Sequence, residues 1–158
     1  MKKKFSTRYS ESQSQNSKRL KQHRYVIGAL KEGRFMSKKI LIVDDSKTIR
    51  QQVSFTLAKG GYQVVEGEDG VDGIAKLKAN ADVAMIISDV NMPNMNGLEM
   101  VEKIKSEAAY KDLPIVILTT EGAGELIERA KKAGAKGWLV KPFKPEQLIQ
   151  AVGKLVGT

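Results

Sequence analysis

The chain has 158 residues, 41 % of them apolar, which suits one domain with a real core and some excess. It has no cysteine, which excludes disulfides, cysteine-ligated zinc and thiol catalysis, and its one histidine, His23, lies in a polar stretch, which argues against a histidine metal cluster or a Ser-His triad. The net charge of +9 is unevenly spread: residues 1–35 hold ten Lys/Arg against two Asp/Glu, a net of +8, while residues 36–158 hold seventeen against sixteen, a net of +1, so the basic balance is no sign of nucleic-acid binding by the folded part.

Residues 1–35 are rich in Lys, Arg, Ser and Gln, and only Tyr25–Leu30 is apolar, too little to bury, so a disordered extension is expected. A basic arm for nucleic acid or acidic lipid is one reading of it, and an organellar transit peptide another. A third reading is preferred: the segment is not native. Met36-Ser37-Lys38-Lys39 reads as a natural start just before the first strand, and the codons of Lys31-Glu32-Gly33 can spell AAGGAGG, a bacterial ribosome-binding sequence suitably spaced from Met36. Residues 1–35 would then be upstream sequence read through from an early start, with the folded domain at 36–158. No apolar run approaches the roughly 20 residues of a membrane span, and no secretory signal is visible, so a soluble cytoplasmic protein is expected.

From Met36 the pattern alternates. Lys39–Val43 reads as a short apolar strand, and Ser46–Lys59 has helical spacing through Ile49, Val53 and Leu57, stopped by Gly60-Gly61. Tyr62–Val65 reads as a strand, Asp69–Ala79 as a helix with Ile74 and Leu77 inward, Val83–Ser88 as a strand and Gly97–Ala108 as a helix. Pro114–Thr119 is the fourth strand, Ala123–Ala133 a helix closed by Gly134, Gly137–Val140 the fifth strand and Pro145–Val156 the last helix. The first, third and fourth strands are nearly continuous apolar runs, as expected where helices cover both faces. The fold predicted is a single α/β domain, a doubly wound parallel sheet of five strands in the order 2-1-3-4-5, with ligands at the C-terminal strand ends. "VDDSKT" stands where a glycine-rich phosphate loop would follow the first strand, which disfavours a dinucleotide or P-loop fold.

The strand ends carry the chemistry. Asp44 and Asp45 follow the first strand and Asp89 the third, and these strands are neighbours in such a sheet. One acid can serve as the N-cap of the next helix. Three acids converging at one edge repel each other, a cost that a divalent cation with oxygen ligands, Mg²⁺ or Mn²⁺, removes. Thr119 and Thr120 end the fourth strand and Lys141 ends the fifth. Acids, a hydroxyl and an ammonium side by side suit a phosphoryl group. With no Cys or His available and no base beside Thr, the nucleophile is a carboxylate, and the product an aspartyl phosphate.

"ILIVDDS", "SDVNMPNMNG", "ILTTE" and "VKPF" resemble the four signatures of bacterial response-regulator receiver domains, in particular the stand-alone, CheY-like chemotaxis type, over essentially all of 36–158. The resemblance implies that Asp89 accepts a phosphoryl group from a sensor histidine kinase. It implies that Asp45 and Asp89 bind Mg²⁺ directly, with the backbone carbonyl of Asn91 a further ligand and Asp44 acting largely through water. Thr119 would be the switch hydroxyl, Lys141 would pair with the phosphoryl group, and Lys141-Pro142 matches a bond commonly cis in the family. Asn91, Thr120 and Glu121 would tune the phosphoryl lifetime, and Trp138 stands at the aromatic switch position, usually Tyr or Phe. No effector domain is expected after the last helix, and output is expected through the face of the fourth helix, fifth strand and fifth helix, where Lys131, Lys132, Lys136 and Lys144 form a basic patch near Trp138. The expected protein is a non-enzymatic signalling protein, a monomer, with no DNA-binding domain. Its phosphorylated form would bind a target such as a motor switch. A relay intermediate passing the phosphoryl group to another histidine protein is the alternative, which "NMPNMNGLEM" disfavours. A pseudo-receiver is disfavoured because every site residue is present.

Overall fold

The computed structural model describes residues 37–120 and 124–157. The expectations for residues 1–35 and for Glu121 fall outside the described residues. Strand β1 (Lys39–Val43) leads to helix α1 (Lys47–Lys59), β2 (Gln63–Gly67) to α2 (Gly70–Ala79), and β3 (Val83–Asp89) to α3 (Gly97–Ser106). A 3-10 turn at Ala108–Tyr110 precedes β4 (Ile115–Thr119), α4 (Gly124–Ala133), β5 (Gly137–Val140) and α5 (Pro145–Val156). All strand pairings are parallel and the sheet order is β2-β1-β3-β4-β5, as predicted.

Alternation along the strands divides the core between the two faces of the sheet. Ile40 and Ile42 of β1, Met85 and Ile87 of β3, and Val116 and Leu118 of β4 pack with Val53 and Leu57 of α1 and Leu148 and Val152 of α5. Leu41, Val43, Ile86, Ile115 and Ile117 face the other way, against Leu77 of α2, Val101 and Ile104 of α3, and Ala130 of α4. This two-sided burial is why β1, β3 and β4 read as unbroken apolar runs. Burying each such side chain contributes about 1.5–3 kcal/mol.

Several boundaries differ from the predicted ones. The N-cap of α1 is Ser46, whose hydroxyl accepts the Ile49 N–H, so neither Asp44 nor Asp45 caps that helix. Asp69 caps α2 from outside it, and Asn96 caps α3. Strand β2 begins after Tyr62 and runs on through Gly67, because pairing with β1 sets its register from Lys39↔Gln63 to Val43↔Gly67. Helix α3 stops at Ser106, where Glu107 turns to extended backbone (φ −90°, ψ 125°) ahead of the 3-10 turn.

Candidate functional site

Parallel strands deliver their C-terminal ends to one edge, and there the sequence turns from apolar to polar. Asp44 follows β1 directly; its backbone N–H bonds to the Gly67 carbonyl at 3.1 Å, which keeps it in line with the sheet. Its side chain is buried at 1 % exposure. One of its oxygens accepts the Ser46 N–H at 2.8 Å, and the other accepts from Lys141 Nζ at 3.0 Å. Arg50 of α1 holds the backbone of the same turn, donating to the Asp44 carbonyl at 2.7 Å and pairing with Glu66 of β2 at 3.2 Å. Glu66 also accepts from Ser54 at 2.7 Å, so α1, β2 and the acidic turn are tied together.

Asp89 ends β3. Its Oδ1 accepts the Val90 N–H at 2.8 Å, and its Oδ2 lies 3.6 Å from Lys141 Nζ. Gly97 packs so tightly beneath it that a Cβ there would fall 2.0 Å from the Asp89 carbonyl oxygen, and the Gly97 N–H closes the loop onto the Val90 carbonyl at 2.8 Å. Only glycine permits that approach, so Gly97 does more than ease entry into the helix. Burial pushes the Asp89 carboxyl above its ordinary pKa; the Lys141 charge pulls against this, Asp44 and Asp45 add to the rise, and the Val90 amide opposes it.

One carboxylate oxygen from each of Asp44, Asp45 and Asp89 lies within 4.8 Å of the other two, the residues being buried, exposed and half-buried respectively. Oxygen ligands around Mg²⁺ at about 2.1 Å stand up to about 4.2 Å apart, so this cluster fits a hard divalent ion after small side-chain adjustments. The exposed Asp45 leaves the approach open to the water molecules that Mg²⁺ keeps.

Lys141 reaches this cluster from the end of β5. Its backbone N–H bonds to the Thr119 carbonyl at 2.7 Å, and its peptide bond to Pro142 is cis. Thr119 is buried at the end of β4, and Thr120 after it is exposed. A cleft of about 400 Å³ opens beside Lys141, lined also by Ile49, Gln52, Thr120, Pro142 and Phe143. Trp138 is exposed on β5 with Lys131 Nζ 4.9 Å above its ring, and Val140 beside it is exposed as well. Lys131, Lys132, Lys136 and Lys144 are all exposed. Asp44, Asp45, Asp89, Thr119 and Lys141, predicted from four separate stretches, thus come to one sheet edge, with exposed Asn91 in the loop after Asp89.

Sequence reading missed Arg50, Asp69 and Asn94. The Asn94 side chain donates to Asp69 Oδ2 at 2.8 Å, joining the loop after β3 to the turn after β2. No local pattern marks a bond between residues 25 positions apart in two loops. The capping position of Asp69 was the one available signal.

Residues 40–153 match the family model of the response regulator receiver domain. The chain belongs to this family. The receiver domain is 45 % identical over 121 residues to the chemotaxis protein CheY1 of Helicobacter pylori, covering 76 % of this chain and 98 % of that protein. It is 44 % identical over 121 residues to the CheY homolog of Campylobacter jejuni, covering 76 % and 93 %. Among solved structures, the chemotaxis protein CheY4 of Vibrio cholerae superposes with a TM-score of 0.72 at 46 % identity, covering 75 % of this chain and 98 % of that one. The receiver domain is therefore of the CheY-like chemotaxis type, a signal-transduction module. No helix among its described residues is long and apolar enough to cross a membrane.

Proposed function

We propose that this receiver accepts a phosphoryl group on Asp89 from a phosphohistidine of a sensor kinase and signals to a target protein in chemotaxis. One observation carries the reading: three carboxylates within 4.8 Å of one another, in a member of the receiver family, at the strand ends where Lys141 also arrives. Asp45, Asp89 and the Asn91 backbone carbonyl would hold Mg²⁺ or Mn²⁺, with Asp44 acting through water. Bound metal supplies charge neutralisation to the phosphoryl oxygens and offsets carboxylate repulsion.

The chain's own groups do the rest. The Val90 amide fixes the rotation of the Asp89 carboxylate, so that an oxygen is presented in line with the incoming phosphorus. The donor's N–P bond breaks as an Asp89 O–P bond forms, and the imidazole, protonated on its other ring nitrogen, takes the bonding pair and leaves neutral. Lys141, already 3.6 Å from Asp89, pairs with the transferred group, and the Thr119 hydroxyl donates to it. Hydrolysis later returns the carboxylate, with Asn91, Thr120 and Glu121 setting its pace. The protein in this reading catalyses only its own phosphorylation and dephosphorylation.

Output would pass through Trp138 and the face of α4, β5 and α5. Movement of Thr119 toward the phosphoryl group opens space for the indole to turn inward, away from Lys131. The exposed lysines there suit an acidic target segment. The chemotaxis relatives support a target-binding role over a relay role. The reading also places the domain at 36–158, in the cytoplasm and monomeric, with 1–35 upstream of the native start.

Incubation with a phosphorylated histidine kinase of the host and Mg²⁺ tests the proposal. Label is expected on the wild type and not on Asp89→Asn. Label retained on Asp89→Asn would overturn the assignment of Asp89.

A further inference from the structure

We infer that Asp69 and Asn94 form a latch that fixes the backbone around Asn91, and so act as positioning residues for the metal site; this rests on the reading above that the Asn91 carbonyl is a metal ligand. Asp69 stands outside the cluster of Asp44, Asp45 and Asp89. It is nonetheless buried, and both of its oxygens are engaged. Oδ1 caps α2 by accepting the Asp72 N–H at 2.8 Å. Oδ2 accepts from Asn94 Nδ2 at 2.8 Å. A backbone rung lies alongside, from the Gly70 N–H to the Met95 carbonyl at 3.1 Å. The two turns meet so closely that a Cβ on Gly70 would come within 2.7 Å of the Met95 carbonyl oxygen.

The conformation of the latched loop points the same way. Asn94 has φ 66°, and the Met95 N–H bonds to the Pro93 carbonyl at 2.7 Å across it. A three-residue turn with positive φ at its centre is the rare, strained hand. Such strain persists only where neighbouring contacts over-determine it, and it gathers at functional sites. Here the neighbouring contact is the carboxylate of Asp69. At its other end the loop is pinned by the Gly97 N–H on the Val90 carbonyl at 2.8 Å. Asn91 lies between the two pins. Loss of a group that holds a metal ligand in place commonly costs about 10–100-fold in metal affinity.

Two substitutions break the latch from opposite sides without disturbing its surroundings. Asp69→Ser keeps a capping oxygen for α2 but is too short to reach Asn94. Asn94→Gly keeps the positive φ but removes the donor. Calorimetric Mg²⁺ titration should show each variant binding about 10-fold more weakly than wild type. The double variant should be no weaker than either single one, as for two halves of one interaction. Asp69→Asn, whose amide can bond a turned Asn94 amide, should recover most of the affinity. In metal-free protein, amide hydrogen exchange across residues 91–96 should quicken in Asp69→Ser and Asn94→Gly and stay slow in Asp69→Asn.

Wild-type binding with unchanged affinity and exchange in both single variants would overturn the latch and leave the metal reading standing. Losses that add in the double variant would also overturn it, since the two residues would then act separately. Absence of Mg²⁺ binding by the wild type would overturn the metal reading and, with it, the latch's role there.

Discussion

Burial raises the Asp89 carboxyl against the pull of Lys141, and Asp44 and Asp45 add to the rise. An acid whose folded pKa exceeds its unfolded value destabilises the fold while ionised: the penalty is full above the folded pKa and absent below the unfolded one. Metal-free protein should therefore gain stability from this group as pH falls through its raised pKa. Asp89→Asn removes the charge and keeps an acceptor for the Val90 N–H, so it should stabilise the metal-free protein by about 1 kcal/mol, or about 4 °C in Tm. Added Mg²⁺ should raise the Tm of the wild type and not of Asp89→Asn. Asp69 has the opposite sign. The Asp72 amide and then the Asn94 side chain hold its carboxyl below the usual range, so its contribution is full above the unfolded pKa and is lost as pH falls through the depressed folded one. Asp69→Ala should cost about 1–2 kcal/mol at neutral pH through the lost cap. Urea unfolding at descending pH should show its gap to wild type closing only below the ordinary carboxylate range.

At the scale of elements, the passage from α3 to β4 hangs on one side chain. Lys105, in the last turn of α3, donates to the carbonyls of Tyr110, Lys111 and Leu113, which lie around the 3-10 turn and before β4. Burial, then the nearby Lys136 charge, lowers its pKa, so the ammonium is held there at a cost that the three carbonyls offset. Lys105→Met keeps the stem and removes the donor. It should cost about 2 kcal/mol and quicken amide exchange over 108–113. Nothing in "EKIKSEAAYKDLP" marks Lys105 apart from Lys103, which explains why the helix was predicted to run on to Ala108. Where the sequence was legible, a buried stripe or run made it so: Val53 and Leu57 place α1, and Ile86-Ile87 and Ile115–Leu118 place the central strands. The site was legible for the same reason, since each apolar run ends on Asp44, Asp89, Thr119 or Lys141. Strand β2 was less so, because Glu66 and Gly67 look like turn residues and only pairing with β1 makes them strand. The latch between Asp69 and Asn94 was not legible, because it exists only once two loops have been brought together.

At the scale of the molecule, all the buried apolar residues among those described lie between Ile40 and Val152, on the two faces of one sheet. The family match, residues 40–153, has nearly the same limits, and CheY1 of Helicobacter pylori is matched over 98 % of its length by 121 residues of this chain. The core of the described residues thus falls inside the domain limits proposed, 36–158. Charge divides differently: +8 of the net +9 belongs to residues 1–35. A chain starting at Met36 should melt within about 4 °C of the full chain, since a change beyond about 1 kcal/mol would need contacts outside this core. Its Mg²⁺ affinity should agree with that of the full chain. On an anionic matrix the full chain should be retained at low salt and released as counterions screen its lysines and arginines, while the 36–158 chain, with a net of +1, should pass through. A large drop in Tm on removing 1–35 would count against the domain limits proposed. Intact mass from the native host gives the complementary measurement: a species beginning at Met36 is expected, and one beginning at Met1 would establish the basic segment as part of the native protein.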